Sequence, residues 1–468
     1  MPKPAPRALR ALPAVETLLQ HEALASALAA LPRSLVVGAV RATLADARAA
    51  LAAHKGATPP AVDALAAAAA VRAQRDATPQ LVRVINGTGI VLHTNLGRAP
   101  LAESARRAVA DVAAGYSSLE YDLASGKRGH RGDGVARALT RLTGAEGAVV
   151  VNNGAAAILL ALSALASGRK VIVSRGELVE IGGAFRVPEI MEKSGATLVE
   201  VGATNRTHLR DYEKALDKHD DVAAILRVHP SNFRIEGFTA RPSLPELSKL
   251  ARRHRVALIE DLGSGALVDL SEFGLEREPT VGDSLAAGAD VVTCSGDKLL
   301  GGAQAGLVLG AKKHLARIAK DPLARAMRAD KLALAALEAT LALYADPARA
   351  KREVPVLVAL NVSEEALRER AERLANELCA RVEGLTTRIG VGSGEVGGGS
   401  LPRTQLKGPV VELAHAAHSA AELERRARTA VPPVIGTVKA NRFRLDPRTL
   451  TESEVGMAAT ALAKVWNA

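Results

Sequence analysis

Three short segments carry residue types suited to one chemistry. Ser295-Gly296-Asp297-Lys298 follows the apolar run Val291–Thr293 and leads into Leu299-Leu300-Gly301-Gly302, so a strand delivers a lysine to a glycine-rich turn. Ligands of α/β sheets bind beyond the carboxyl ends of the strands. An amine shielded there has a lowered pKa and can form a Schiff base with a carbonyl group. Ser295 adds a hydroxyl for a phosphate. Asp261 closes a second run, Val256–Glu260, and is followed by Leu262-Gly263-Ser264-Gly265; a carboxylate so placed can keep a pyridine nitrogen protonated. Val149–Val151 leads through Asn152-Asn153-Gly154-Ala155-Ala156 into a helical pattern, whose first N–H groups can hold a phosphate. Each segment also has an ordinary explanation: a surface lysine with its stem on apolar neighbours, a turn-capping aspartate, an Asn-capped helix. Occurring in the order phosphate turn, carboxylate, lysine, each at a strand exit, they indicate a pyridoxal phosphate site.

Such a site needs a sheet, and the pattern from about residue 80 to 310 supplies one. Strands are expected at Ala148–Val151, Lys170–Val173, Thr197–Val201, Val222–Val228, Val256–Glu260, Val291–Thr293 and Ala305–Leu309. Helices are expected at Ala155–Ala166, Ile181–Ser194 and Leu244–Arg253. Strands alternating with crossover helices predict a largely parallel sheet covered on both faces. A long helical stretch, Leu323–Tyr344, precedes a third region. There the expected helices are Glu364–Val382, Ala420–Ala430 and one from Glu452. Its strands are expected near Arg388–Val391, Val410–Leu413, Val434–Val438 and Arg442–Leu445. Residues before 78 instead show only helical spacing, punctuated by Pro32 and Thr58-Pro59-Pro60. Three domains are therefore expected: a helical module over 1–78, a large cofactor-binding domain over 79–345 and a small α/β domain over 346–468.

Composition bounds the class. The 468 residues are 48% hydrophobic, 24% charged and only 2% aromatic, as in a globular chain with an aliphatic core. No apolar run is long enough to cross a bilayer, and the two cysteines, Cys294 and Cys379, form no CxxC pair. No membrane association, disulfide framework or metal module is expected, and a cytoplasmic location fits. The net charge of +11 favours a polyanionic partner, although a biased Ala/Arg/Gly composition explains it equally well. Within 1–78, nine Lys and Arg (Lys3, Arg7 and Lys55 among them) outnumber five acids. Gly392-Ser-Gly394-Glu-Val-Gly397 matches GxGxxG, but Gly398-Gly399-Ser400-Leu401-Pro402 is a poor helix start. A dinucleotide site is therefore not expected, and the segment reads as a flexible or substrate-facing loop.

Longer motifs resemble one family. They are Ile85-Asn-Gly-Thr-Gly-Ile-Val-Leu-His-Thr-Asn-Leu-Gly97-Arg98, Ser174-Arg-Gly-Glu-Leu-Val-Glu-Ile-Gly-Gly183, Thr204-Asn-Arg-Thr207, the Asp261 and Lys298 segments, and Pro433-Val-Ile-Gly436. By these the chain resembles bacterial selenocysteine synthase, L-seryl-tRNA(Sec) selenium transferase, over about its whole length.

The resemblance implies an aspartate-aminotransferase-like (fold type I) enzyme. It would convert seryl-tRNA(Sec) to selenocysteinyl-tRNA(Sec) by β-elimination to an aminoacrylate and addition of selenium from selenophosphate. Lys298 would bond the cofactor and move the α-proton, Asp261 would pair with the pyridine nitrogen, and Asn153, Gly154, Ala155 and Ser295 would serve the phosphate. Arg98, Arg325 and Arg328 look like family positions that bind the selenium donor, and His229 is another substrate-side position. Arg325 and Arg328, three apart in a helical pattern, are expected to share a face. The helical module would contact tRNA, and the enzyme would be a homo-oligomer, a ring of dimers making a decamer. Two other functions compete. One is a β-eliminating lyase on the same core, acting on a small phosphorylated amino acid or amino-sugar acid. The other is a non-enzymatic tRNA-binding protein, which the intact Lys298 and Asp261 segments disfavour.

Overall fold

A computed structural model describes residues 9–54, 57–181, 185–402 and 404–467. Lys3, Arg7, Lys55 and the Gly182-Gly183 end of the Ser174 motif lie outside the described residues. The chain divides into two compact units, Met1–Arg83 and Val84–Ala468.

The first unit is helical: Val15–Leu19, Ala25–Ala30, Arg33–Ala53 and Val62–Ala77, with a short 3-10 turn at Glu22–Leu24. Leu18, Leu24, Val36, Val40, Leu44 and Leu65 form its core. Ala66, Ala69 and Ala73 recur on one face of the last helix and are buried, letting it pack closely. Arg72 pairs with Asp46 at 2.8 Å, joining the two long helices.

In the second unit a seven-stranded sheet carries the strand exits. Its strands are β1 (Gly147–Val151), β2 (Lys170–Ser174), β3 (Thr197–Val201), β4 (Val222–Val228), β5 (Ala257–Gly263), β6 (Val291–Ser295) and β7 (Gly306–Gly310). The spatial order is β1-β7-β6-β5-β4-β2-β3, and only β7 runs antiparallel to its neighbours. Strands covered on both faces read as continuous apolar runs, and every residue of β4 and β6 is buried. One face is covered by the helix Gly154–Ala166, which is apolar nearly all round. The helices Leu209–Lys218 and Leu244–His254 cover the other. The carboxyl ends of β1, β4, β5 and β6 therefore open on one edge.

A five-stranded sheet follows, built from Leu385–Gly397, Gln405–His415, Thr437–Lys439, Arg442–Leu445 and, from far upstream, Ile90–Leu92. Residues 85–92 thus join the C-terminal layer, Ile85–Asn86 pairing with Val434–Ile435 and Ile90–Leu92 with Glu395–Gly397. The aliphatic core behind this sheet is closed by Phe443 and Trp466, whose rings meet edge to face at 5.9 Å.

Three expectations are corrected. The Gly392–Gly397 segment is not a loop but the end of a long strand, in register with Gln405–Gly408 across an antiparallel pair. The helix expected from Ile181 begins at Val187, with Pro188 in its first turn, after a short antiparallel pair at Glu180–Ile181 and Phe185–Arg186. Proline is well tolerated only in a first helical turn. The stretch Leu323–Tyr344 is two helices, Pro322–Ala326 and Lys331–Leu343. Between them Met327 O accepts from Asn152 N–H at 2.8 Å, and Arg328 bridges Val151. Asp330 then caps a new helix, accepting from Leu332 and Ala333 N–H. Arg325 and Arg328 consequently do not share a helix face.

Candidate active site

Lys298 leaves the end of β6 on a tight turn and is 5% exposed. Burial pushes its ammonium pKa down; the Asp261 charge opposes that, and Arg98 adds to it. Asp261, on β5, is held at one oxygen by Thr293 of β6, whose Oγ1 donates to Oδ1 at 2.8 Å. The two residues are partners in the parallel register. Burial raises the Asp261 pKa, with Thr293 and then Lys298 pulling it back. A carboxylate desolvated to this degree is favoured as an anion by a cation beside it, so this group suits a pyridinium N–H. Cys294, between Thr293 and Ser295, is a buried thiol pushed up to about 12 and is not a nucleophile.

Asn153 caps the helix Gly154–Ala166, its side chain accepting from Ala156 N–H at 2.8 Å. The Gly154 and Ala155 N–H groups have no acceptor within the helix. Ser295 Oγ lies so close over Gly154 that a Cβ there would collide with it. Helix start and hydroxyl, from β1 and β6, thus form one cradle of the kind that holds a phosphate.

Arg98 holds the lysine turn. Its Nη1 donates to Asp297 Oδ2 at 2.8 Å, and Ala99 N–H donates to the Asp297 carbonyl at 3.3 Å. Arg98 has φ of +61°, a strained conformation for a non-glycine residue. His229 follows β4, its N–H donating to the Asp261 carbonyl at 2.9 Å, and its Nε2 lies 3.2 Å from the buried Glu278. Arg328 reaches Glu120 at 3.3 Å, as do Arg131 at 2.9 Å and Arg128 at 3.0 Å. Arg325 is exposed. Arg98 and Arg328 therefore belong to different ion-pair systems of the chain. The segment carrying Arg328 runs beside the phosphate turn, where a cleft of about 430 Å³ is lined by Asn152, Asn153, Gln304 and Asp330.

Lysine, carboxylate, phosphate turn and Ser295 thus gather at one edge of the sheet, with His229 beside Asp261. Thr293, Asp297 and Glu278 were not singled out from the sequence. Thr293 and Asp297 lie within or next to the Lys298 motif, and their types were a usable signal. Nothing local marks Glu278. The donor set fits pyridoxal phosphate: a buried amine of lowered pKa, a half-buried carboxylate of raised pKa, and a cradle kept open by glycine.

A family model for L-seryl-tRNA selenium transferase matches residues 84–451, and one for the selenocysteine synthase N-terminal region matches 9–48. The chain is 49% identical over 460 residues to the L-seryl-tRNA(Sec) selenium transferase of Solidesulfovibrio magneticus, covering 97% of each. It is 48% identical over 459 residues to that of Geotalea daltonii, covering 97% of this chain and 98% of the relative. Among solved structures, D-glucosaminate-6-phosphate ammonia-lyase aligns at 21% identity with a TM-score of 0.55, over 82% of this chain and 96% of that one, a likeness of fold. The architecture, a mostly parallel sheet covered by helices on both faces and followed by a smaller α/β layer, is the one expected from the sequence.

Proposed function

The chain belongs to the L-seryl-tRNA selenium transferase family, and from that premise we propose how its own residues carry the reaction. The enzyme converts seryl-tRNA(Sec) to selenocysteinyl-tRNA(Sec). The observation that carries the residue assignment is the buried Lys298, on the turn just beyond the strand that pairs with the Asp261 strand. Pyridoxal phosphate, when bound, supplies an electron sink for the pair left on the α-carbon of the seryl group. Asn153, Gly154, Ala155 and Ser295 bind its phosphate. Asp261 keeps the proton on its pyridine nitrogen. Lys298, its amine pKa lowered by burial, bonds the cofactor and, once displaced, takes the α-proton at Nζ. Arg98 orients that amine through Asp297, and His229 lines the substrate side.

Arg98, Arg325 and Arg328 bind selenophosphate, whose selenium replaces the seryl hydroxyl. A guanidinium has five N–H donors, so Arg98 keeps several after its bond to Asp297. Guanidinium forks match phosphate oxygens and stay charged at working pH. Replacing Arg328 with Ala is expected to raise the selenophosphate KM about 10- to 100-fold, the usual worth of a charged hydrogen bond. Loss of the α-proton without donor should change little, and lysine should rescue poorly because it lacks the fork. Wild-type donor dependence would remove Arg328 from the donor site.

The helical unit serves tRNA, and the full enzyme is a cytoplasmic homodecamer built as a ring of dimers. Ultracentrifugation of the full chain tests that size, and a dimer as the largest species rejects it. Among the described residues no helix is long and apolar enough to cross a membrane. Removing residues 1–83 is expected to leave pyridoxal phosphate binding intact and to weaken tRNA(Sec) binding at least about tenfold. The salt dependence should become shallower, since phosphate contacts release counterions. A shortened chain that binds tRNA(Sec) like the full one refutes this role.

The function is tested with seryl-tRNA(Sec) and seryl-tRNA(Ser) in parallel, with and without selenophosphate. Selenocysteinyl-tRNA is expected only from the first with donor. A small-molecule lyase on this core has only the 21% fold likeness behind it; release of product from small phosphorylated amino acids, with no transfer to tRNA, would revive it.

A further inference from the structure

Ser231 is 2% exposed, and its Oγ has no hydrogen-bond partner among the described residues. The turn after β4 fixes its place. Its N–H donates to the His229 carbonyl at 2.8 Å, and the His229 N–H donates to the Asp261 carbonyl at 2.9 Å. The hydroxyl thus hangs from the strand that carries the site's carboxylate. Opposite stands Gly263, with φ of +70°. A Cβ added there would lie 3.8 Å from Ser231 Oγ and 3.7 Å from Lys298 Nζ, with nothing nearer. Hydroxyl and amine therefore border one small space beside Asp261.

Buried polar groups of native proteins have hydrogen-bond partners, and leaving one unmatched is costly. A hydroxyl kept unmatched beside a cofactor lysine is accounted for when the bound molecule supplies its partner. We infer that Ser231 Oγ is a cofactor-binding hydroxyl, hydrogen-bonded to a polar atom of the pyridoxal phosphate held by Lys298. The inference rests on the cofactor reading above. A trapped water is the competing partner, and it would be present with or without the cofactor.

The two are separated by comparing the full wild-type chain with Ser231→Ala after both are stripped of cofactor. Pyridoxal phosphate is titrated by fluorescence, and thermal melting is recorded before and after loading. The alanine chain should bind pyridoxal phosphate about tenfold more weakly, the equivalent of one hydrogen bond. Its cofactor-free melting temperature should match or exceed that of the wild type, because an unmatched hydroxyl has been removed. Equal affinity, a lower cofactor-free melting temperature or failure to fold overturns the inference, since each gives the hydroxyl a structural or water-held role. If the wild-type chain itself shows no saturable binding, the cofactor reading fails and the inference falls with it.

Discussion

Lys298→Ala is expected to abolish turnover and the borohydride-reducible bond between protein and cofactor together. The side chain is buried at the exit of β6, and burial lowers its pKa. A lowered pKa leaves more of the amine unprotonated than on a surface lysine, and an unprotonated amine can both bond a carbonyl and accept a proton. Losing one positioned proton-transfer group typically costs about 10²- to 10⁴-fold in rate, and here the covalent anchor is lost as well, so a fall beyond about 10⁴-fold is expected. The fold should survive. The turn is held independently by Arg98 on Asp297, by Leu299 N–H on the Ser264 carbonyl and by Gly301 N–H on the Lys298 carbonyl, none of which uses the lysine side chain. The measurement pairs the wild-type absorbance band, its loss on reduction and the variant's rate. A variant with normal activity would remove the whole mechanism.

The parts of this site legible in the sequence were those written as short runs. Lys298, Asp261 and Asn153–Ala155 each end an apolar strand, and strand exits are visible as a change of residue type. What was not legible depends on partners distant along the chain. The Arg98–Asp297 pair spans 199 residues, and Thr293 serves Asp261 only because β5 and β6 align in that register. The Leu323–Tyr344 pattern kept a helical period across a break. Local spacing cannot report that Asn152 and Val151 recruit Met327 and Arg328 to the sheet edge. The glycines at 392–397 misled in the opposite sense: small residues suggested a loop, while cross-strand pairing with 405–408 makes them a strand. The recruitment of residues 85–92 into the C-terminal sheet is of the same long-range kind.

Asp261→Asn separates the electronic role of the carboxylate from its structural one. Thr293 Oγ1 donates to Asp261 Oδ1, and an amide oxygen accepts that bond equally well, so β5 and β6 should stay joined. Burial is the largest influence on the carboxyl and raises its pKa, against the pull of Thr293 and Lys298. A raised folded-state pKa means that the native chain binds this proton more tightly than the unfolded chain, whose value is about 3.9. The stability linked to the group is therefore complete below that value and is lost as pH rises through the folded one. In the cofactor-free chain Asn escapes this loss. Its melting temperature at neutral pH should equal or exceed that of the wild type, the difference narrowing toward about pH 4. With cofactor bound the sign reverses in function. Asn cannot keep the proton on the pyridine nitrogen, so α-proton exchange on seryl-tRNA should fall on the order of 10³-fold, within the range for losing one proton-managing group. Cofactor affinity should fall far less, because Asn153, Gly154, Ala155, Ser295 and the bond to Lys298 remain. Exchange and affinity are measured on one preparation, by tritium release and by cofactor titration. Small and equal losses in both would make Asp261 a structural residue of the strand end rather than the group that sustains the electron sink.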